Sequence, residues 1–481
     1  MEHWQTKPKA ENLVEFSHNR LHIEKIESFD DQFGIFKKLY DRYDKVFILE
    51  SLVGPKELSE FSIIGFDPEL SITCDAKKFR VSDRSGVIEV TKVLDPLAQL
   101  REVVPKVSDN RFRYIGGAVG YVSYDAVRFW ERVPQKDMTK HYFPLLEFGI
   151  FTDGILYNHV EKQAYYFSIR TKSRIKEVKD IISQGRHPRE ESTFSYSTPE
   201  RNITRKQFIE KVNKSKKYIH AGDVFQVVLS KRMTFKISGD VLAVYEKLRD
   251  INPSPYMYFF RMGHTHIIGS SPEMLLRVTG NRLETFPIAG TRPVSDEDER
   301  NKALSRDLVN DEKEVAEHTM LVDLARNDIG KVSRYGTVQV KELMKVKRFS
   351  HVQHMISHVT GILRTGFDSY DSFRAVFPAG TVSGAPKLRA MEIIDELEPN
   401  FRGPYAGALG YFSANGSCDF AITIRSIFTN KRDAFLQSGA GIVMDSVPQT
   451  EWSETEQKAN ALLSALEKAR ATTKSYTANP V

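Results

Sequence analysis

The sequence holds little cysteine: two in 481 residues, Cys74 and Cys418, far apart and outside any metal-ligand spacing. A disulfide framework is excluded, and a reducing compartment is expected. Long hydrophobic runs are missing too. No window approaches the roughly 18 apolar residues of a membrane-spanning helix. The opening MEHWQTKPKA has no apolar stretch after its charges, so neither a signal peptide nor a membrane span is expected, and the reading is cytoplasmic. Charge of one sign is not in large excess. Against 69 Lys and Arg stand 63 Asp and Glu, a net charge of +6 with no sustained basic block, which argues against a nucleic-acid partner. GxxxxGK[ST] and HExxH are absent, which removes the nucleotide P-loop and the common zinc-protease helix.

What is there is ordinary for a soluble globular protein: 41% hydrophobic and 27% charged residues, in a chain long enough for a large core without staples. The first ten residues read as a loose end. Residues 12–183 are strand-rich, with FSIIGFDPELSITCD, FRYIGGAVGYVSYDAVRFW and AYYFSIRT as aromatic and β-branched runs broken by Gly, Pro and Asp. Residues 184–203 are polar and aperiodic, a linker or surface loop. Residues 204–470 mix helices and strands, and 471–481 read as a disordered tail. Strands and helices without a regular βαβ rhythm predict an α+β fold.

Two predicted helices carry acids on an apolar stripe. After the strand GAGIVMD, Thr450 is the expected N-cap of a helix to about Lys468, with Ala459, Leu462, Leu463 and Leu466 as its core face. Counting back by fours from Leu462 reaches Lys458 and Glu454, so the charges continue the buried stripe. In DEKEVAEHTMLVDLARND, Glu317 shares the face of Met320, Leu321 and Leu324, and Glu314 lies a turn earlier. A carboxylate on an apolar face is costly unless a cation or hydrogen bonds meet it. Oxygen-only ligands suit Mg2+. The alternatives are helix-dipole complementation by Glu451 and Glu454 and salt bridging between the helices.

HVQHMISH fits a strand on which His354 and His358 share a face, and His351 stands nearby; zinc binding and a hydrogen-bonded core histidine are both open. FPIAGTRP and FPAGTVSGAPK each read as a Gly-Thr turn after a short apolar strand, able to present N–H groups and a hydroxyl to an anion, or simply to turn the chain.

Together these segments resemble the chorismate-utilising enzymes, and among them the anthranilate synthase component I branch. The carrying stretches are LESL (49–52), FSIIG (61–65), NPSPYMYF (252–259), SPE (271–273), FPIAGTRP (286–293), EKEVAEHTMLVDLARNDIG (312–330), HVQHM (351–355), GTVSGAPKLRAME (380–392), AITIRS (421–426) and GAGIVMDSVPQTEWSETEQK (439–458). The resemblance covers nearly the whole chain and implies layered antiparallel sheets flanked by helices. It implies Glu317 and Glu454 as Mg2+ ligands with Glu314 and Glu451 close by. Tyr405, Arg425, Lys458, Gly290, Thr291 and the loop Gly439, Ala440 and Gly441 become contacts to chorismate. Glu273 becomes the general acid that releases the 4-hydroxyl, with His354 and Thr381 at the reacting ring.

Relatives that add water carry a lysine base where this chain has Gln226, so ammonia is the implied nucleophile. A lysine common in aminodeoxychorismate synthases is Ala289 here, which favours anthranilate as product. Ser51, Pro255, Tyr256 and Met257 match a feedback pocket for L-tryptophan, although Phe61 stands where an arginine is frequent. No Gly-x-Cys-x-Gly turn is present, so the resemblance implies a partner glutamine amidotransferase subunit as ammonia source. The rival readings are aminodeoxychorismate synthase component I, a non-catalytic regulatory subunit, and an unrelated zinc hydrolase.

Overall fold

The computed structural model describes residues 21–27, 31–53, 60–134, 142–185, 193–349 and 352–477, with side chains through Ala471. The expected loose start, His351, residues 186–192 of the expected linker and the last four residues of the expected tail lie outside the described residues.

The aromatic and β-branched runs form strands, and the strands collect into two large antiparallel sheets. Among the described residues one sheet has thirteen strands and the other twelve. In the first, Lys45–Glu50 pairs with Phe61–Phe66 on one side and with Tyr256–Met262 on the other. In the second, Gly117–Val122 lies between Leu146–Phe151 and Ala408–Ser413. The early strand-rich region and the later mixed region therefore share both sheets.

Alternation along a single strand explains the layering. On Lys45–Glu50, Phe47 enters the core between the sheets, while Val46 and Ile48 enter a second core on the outer face of the first sheet. Between the sheets Phe47 meets Phe151 edge-on at 4.8 Å, and Phe412 meets Phe420 at 4.7 Å. The outer core is covered by the helices Gln32–Arg42, Leu242–Ile251 and Pro448–Thr477. A third cluster packs the helices Arg205–His220 and Lys387–Leu397 against the strand Gln226–Ser238. Arg205–His220 starts where Thr204 and Gln207 form a reciprocal capping box, and it buries Phe208, Val212 and Ile219.

Several local expectations are corrected. The closing helix begins at Pro448 rather than after Thr450, because a proline's fixed φ and missing N–H suit the first helical position. It runs to Thr477, so residues 471–477 are helical rather than disordered; the buried stripe of Ala465, Leu466 and Ala469 carries the helix that far. Gly290 and Thr291 lie inside the strand Ile288–Pro293, at a bulge against Val352–Ile362, rather than in a turn after it. Thr381 sits in the short helix Gly380–Ser383, which follows the helix Ser369–Val376 instead of a strand. Tyr370, Phe373 and Val376 are buried at three-residue spacing, a helical period among the polar residues of SYDSFRAV. Within the expected linker, Ser195–Tyr196 and Glu200–Arg201 each pair with the strand Gln226–Ser238.

Candidate active site

A cavity of about 520 Å3 opens where five elements meet: the helix Glu312–Gly330, the start of the closing helix, the bulged strand Ile288–Pro293, and the paired strands Gln226–Ser238 and Asp433–Ile442. It gathers Gln226, Glu273, Gly290, Thr291, Glu314, Glu317, His354, Thr381, Tyr405, Arg425, Gly439, Gly441, Glu451, Glu454 and Lys458. Among the residues expected to act on chorismate or metal, Ala440 alone does not line it. Strand alternation turns its side chain into the helix-covered cluster behind.

The acids stand on two helices. Asp311 caps Glu312–Gly330, accepting from the backbone N–H groups of Lys313 and Glu314, and fixes the first turn that carries Glu314 and Glu317. Burial pushes the Glu317 carboxyl up; Gln226 Nε2 donates to it at 2.9 Å and lowers it, while Glu314 and Glu454 raise it further. Burial likewise raises Glu451, opposed by a hydrogen bond from Ser446 and reinforced by Glu454. Glu314 is held by Arg292 at 3.1 Å, and Arg292 also grips Asp307 and Asp311. Glu454 pairs with Lys458 at 2.6 Å, and Lys458 Nζ also donates to the Gly439 carbonyl at 3.0 Å.

This donor set fits a hard divalent cation. Its atoms are carboxylate oxygens, and Glu317 and Glu451 are raised first by burial and further by the charge of Glu454, both of which a positive ion would offset. Among the described residues no three acidic, His or Cys side chains gather closely enough to hold a metal by themselves. Two carboxylates completed by substrate and water match the habit of Mg2+. The described histidines of the zinc reading do not converge: His354 lines the cavity, whereas His358 stacks on Phe286 at 4.2 Å and meets Glu284 at 3.0 Å.

On the opposite wall, Glu273 follows the strand Thr265–Ser271. Burial raises its carboxyl to about 8; Thr381 and the charge of Lys458 oppose the rise. The Thr381 hydroxyl makes no hydrogen bond of good geometry and stays a buried polar atom without a partner. His354 is paired across the bulge. Its Nδ1 lies 3.1 Å from the Gly290 carbonyl and 3.0 Å from Thr291 Oγ1. A carbonyl only accepts, so Nδ1 carries the proton and Nε2 keeps its lone pair. Burial lowers the His354 pKa and the Arg425 charge lowers it further, which keeps the ring neutral.

Arg425 has a φ of +52°, a left-handed conformation unusual for a side chain of its size. It makes no ion pair within 4 Å among the described residues, and it lies beside an open strand edge. Asp433–Ile442 pairs with Gln226–Ser238 along its length, but with Ser426–Asn430 only as far as Leu436. From Gln437 onward one edge lacks a strand partner among the described residues, and Gln437, Ser438, Gly439 and Gly441 line the cavity. Gly441 is required here, since a Cβ would stand 2.4 Å from Gln226 Nε2. At Gly290, with φ +68°, a Cβ would press on Leu308 and the Glu314 carboxylate.

A second cavity, about 70 Å3, gathers Ser51, Pro255, Tyr256 and Met257 together with Phe61. Its polar wall is a buried network: Asp419 accepts from Tyr256 at 2.9 Å, Arg277 at 2.8 Å and Arg113 at 3.3 Å.

Residues 44–464 match the family described as chorismate binding enzyme. The chain belongs to that family. Among curated chorismate-binding relatives, the anthranilate synthase component 1 of Methanothermobacter marburgensis is 46% identical over 446 residues, 93% of this chain and 95% of the relative. That of Acetivibrio thermocellus is 42% identical, covering 91% and 92%. The crystal structure of anthranilate synthase component I from Streptococcus pneumoniae superposes with a TM-score of 0.75 at 36% identity, covering 86% of this chain and 94% of that one. The menaquinone-specific isochorismate synthase of Escherichia coli shares the fold, with a TM-score of 0.70 at 19% identity. The chain is therefore an enzyme of the chorismate-binding class, built on that class's antiparallel fold.

Two cationic residues at or beside this cavity stand outside the expected set of acids and glycines. Lys313 lines the cavity and lowers both Glu317 and Glu451. It stands four residues before Glu317, on the same helical face, so the count that found the acids reaches it. Arg292 follows Gly290-Thr291 in sequence, but its hold on Glu314 depends on a tertiary contact that no spacing encodes.

Proposed function

We propose that this chain is the large, ammonia-using subunit of an anthranilate synthase, converting chorismate and ammonia to anthranilate and pyruvate in the cytoplasm. The observation that carries the reading is Gln226. Its Nε2 is committed to Glu317, and its Oε1 is buried without a partner on the cavity wall. An amide cannot deprotonate water, but a free carbonyl oxygen can accept an N–H of ammonia, which needs no base to become a nucleophile. The 38–46% identity to curated anthranilate synthase components supports the same choice.

Arg425 and the open edge of Gln437–Gly441 bind a carboxylate of chorismate, the arginine by its unpaired charge and the edge by its N–H groups. Glu317 and Glu454, with Glu451 and Glu314 beside them, would hold Mg2+, which when bound would offset the charge of the substrate's ring carboxylate. Glu273, protonated below about pH 8, gives its proton to the departing 4-hydroxyl as ammonia bonds to C2. Thr381 orients the ring beside that acid. His354, neutral and with Nε2 free, accepts a proton in the later elimination of pyruvate.

L-Tryptophan binds the second cavity through Ser51, Pro255, Tyr256 and Met257 and inhibits the enzyme. A separate glutamine amidotransferase subunit delivers the ammonia; the numbered component name of the relatives supports a second component. Chromatography of a reaction of the chain with chorismate, Mg2+ and an ammonium salt tests the product. Equal amounts of anthranilate and pyruvate support the reading. An amino-chorismate that yields 4-aminobenzoate only after a lyase is added makes the chain an aminodeoxychorismate synthase component I instead.

A further inference from the structure

Behind Glu273 lies a smaller cavity of about 40 Å3, away from the chorismate side. Glu273, Leu321 and Thr381 line both cavities and so form the wall between them. The far end of the small cavity is lined by Ala325 and Asp328 of the helix Glu312–Gly330. Asp328 is buried, yet it is tied to solvent. Its carboxylate receives Lys387 Nζ at 2.6 Å and Lys331 Nζ at 3.2 Å, and the Lys331 side chain is 54% exposed. The walls are polar at both ends, with Glu273, Thr381 and Thr285 at one and Asp328 at the other, and apolar between them; the Thr381 hydroxyl makes no hydrogen bond of good geometry. A space of this size with polar groups at its two ends has room for about two or three waters.

The chemistry assigned to Glu273 creates a need for this space; the inference rests on that reading. When the C2–N bond forms and the C4–O bond breaks, the glutamic acid proton leaves with the hydroxyl as water. The glutamate must then regain a proton and the water must depart, while substrate fills the main cavity. The proton lost by the new ammonium group on C2 is released on the opposite wall, near Gln226. We infer that the small cavity is a water passage through which Glu273 is reprotonated and the expelled water leaves, with Asp328 as the positioning residue that orders its solvent end. Burial that raises Glu273 to about 8 is consistent with an acid that returns to its protonated form in every turnover.

Two substitutions test the passage in the full chain, assayed with chorismate, Mg2+ and ammonium salt. Ala325→Leu fills it without changing charge, with Ala325→Ser as the polar control. Asp328→Asn removes the ordering carboxylate. The expected result for the leucine and asparagine variants is a kcat lower by about 10- to 100-fold with KM for chorismate within about twofold of the parent, as befits impaired proton transfer. Their solvent deuterium isotope effect on kcat exceeds the parent's, and the serine variant behaves like the parent. A kcat and isotope effect within about twofold of the parent in Ala325→Leu overturns the inference. Should that variant fail to fold by circular dichroism, Asp328→Asn decides by the same criterion. A parent chain that forms no anthranilate overturns the functional reading and the passage with it, and is seen before any variant is compared.

Discussion

Glu273 and His354 show how burial sets opposite proton states in one cavity. Desolvation raises the carboxyl of Glu273 to about 8 and lowers the imidazole of His354, so an acid that can give a proton faces a base that can take one. The sign of the pH dependence follows. Glu273 is protonated below about 8, so turnover at constant free ammonia falls as pH rises through that value. A rate–pH series with the free base held fixed checks it, and a flat profile across that range contradicts it. His354→Ala removes the free Nε2, and the expected loss is about 100-fold or more in kcat with little change in chorismate KM; steady-state kinetics measure both. Arg425→Met keeps the aliphatic bulk but removes the unpaired charge, so its effect belongs in KM, a rise of about 10-fold or more for loss of a charge-assisted contact.

At the scale of elements, the site depends on how firmly the closing helix is held. Leu462 is buried against the outer face of the first sheet, one turn beyond Lys458. Leu462→Ala is expected to cost about 2–5 kcal/mol, read as a lower denaturant midpoint. The same stripe made the helix and its inward acids visible from spacing alone, as it did the helix carrying Glu317. The histidine strand was legible for the same reason, since it has one period throughout. Gly290 and the segment leading into Gly380–Ser383 were harder: a bulge is one residue out of register, and Tyr370, Phe373 and Val376 belong to a helix of only 8 residues. Arg292 and the small cavity behind Glu273 were invisible, because both arise from contacts between distant segments.

At the scale of the whole molecule, the two cavities are joined by shared strands. Met274–Thr279 starts beside Glu273 and carries Arg277 into the second cavity. Its partner Cys418–Ile422 carries Asp419 there and leads on to Arg425. Under the proposed feedback reading, a ligand that orders Arg277 and Asp419 is expected to act on the active site through these two strands. Ser51→Phe fills part of the 70 Å3 cavity, and the expected variant keeps its activity but is no longer inhibited by L-tryptophan; an inhibition titration reads this. Between the sheets, burial raises Glu147 from 4.5 to about 7. Its proton stabilises the fold below the ordinary carboxyl range, and that contribution is lost as pH rises to about 7, so Glu147→Gln should flatten the fall in melting temperature over that interval. The central claim is that the larger cavity makes anthranilate from chorismate and ammonia. The most direct measurement is anthranilate fluorescence from the parent chain and Glu273→Gln side by side, with chorismate, an ammonium salt and Mg2+. The account predicts strong fluorescence from the parent and a rate lower by about 100- to 10,000-fold from the variant. Equal rates, or no fluorescence from a folded parent, would contradict it.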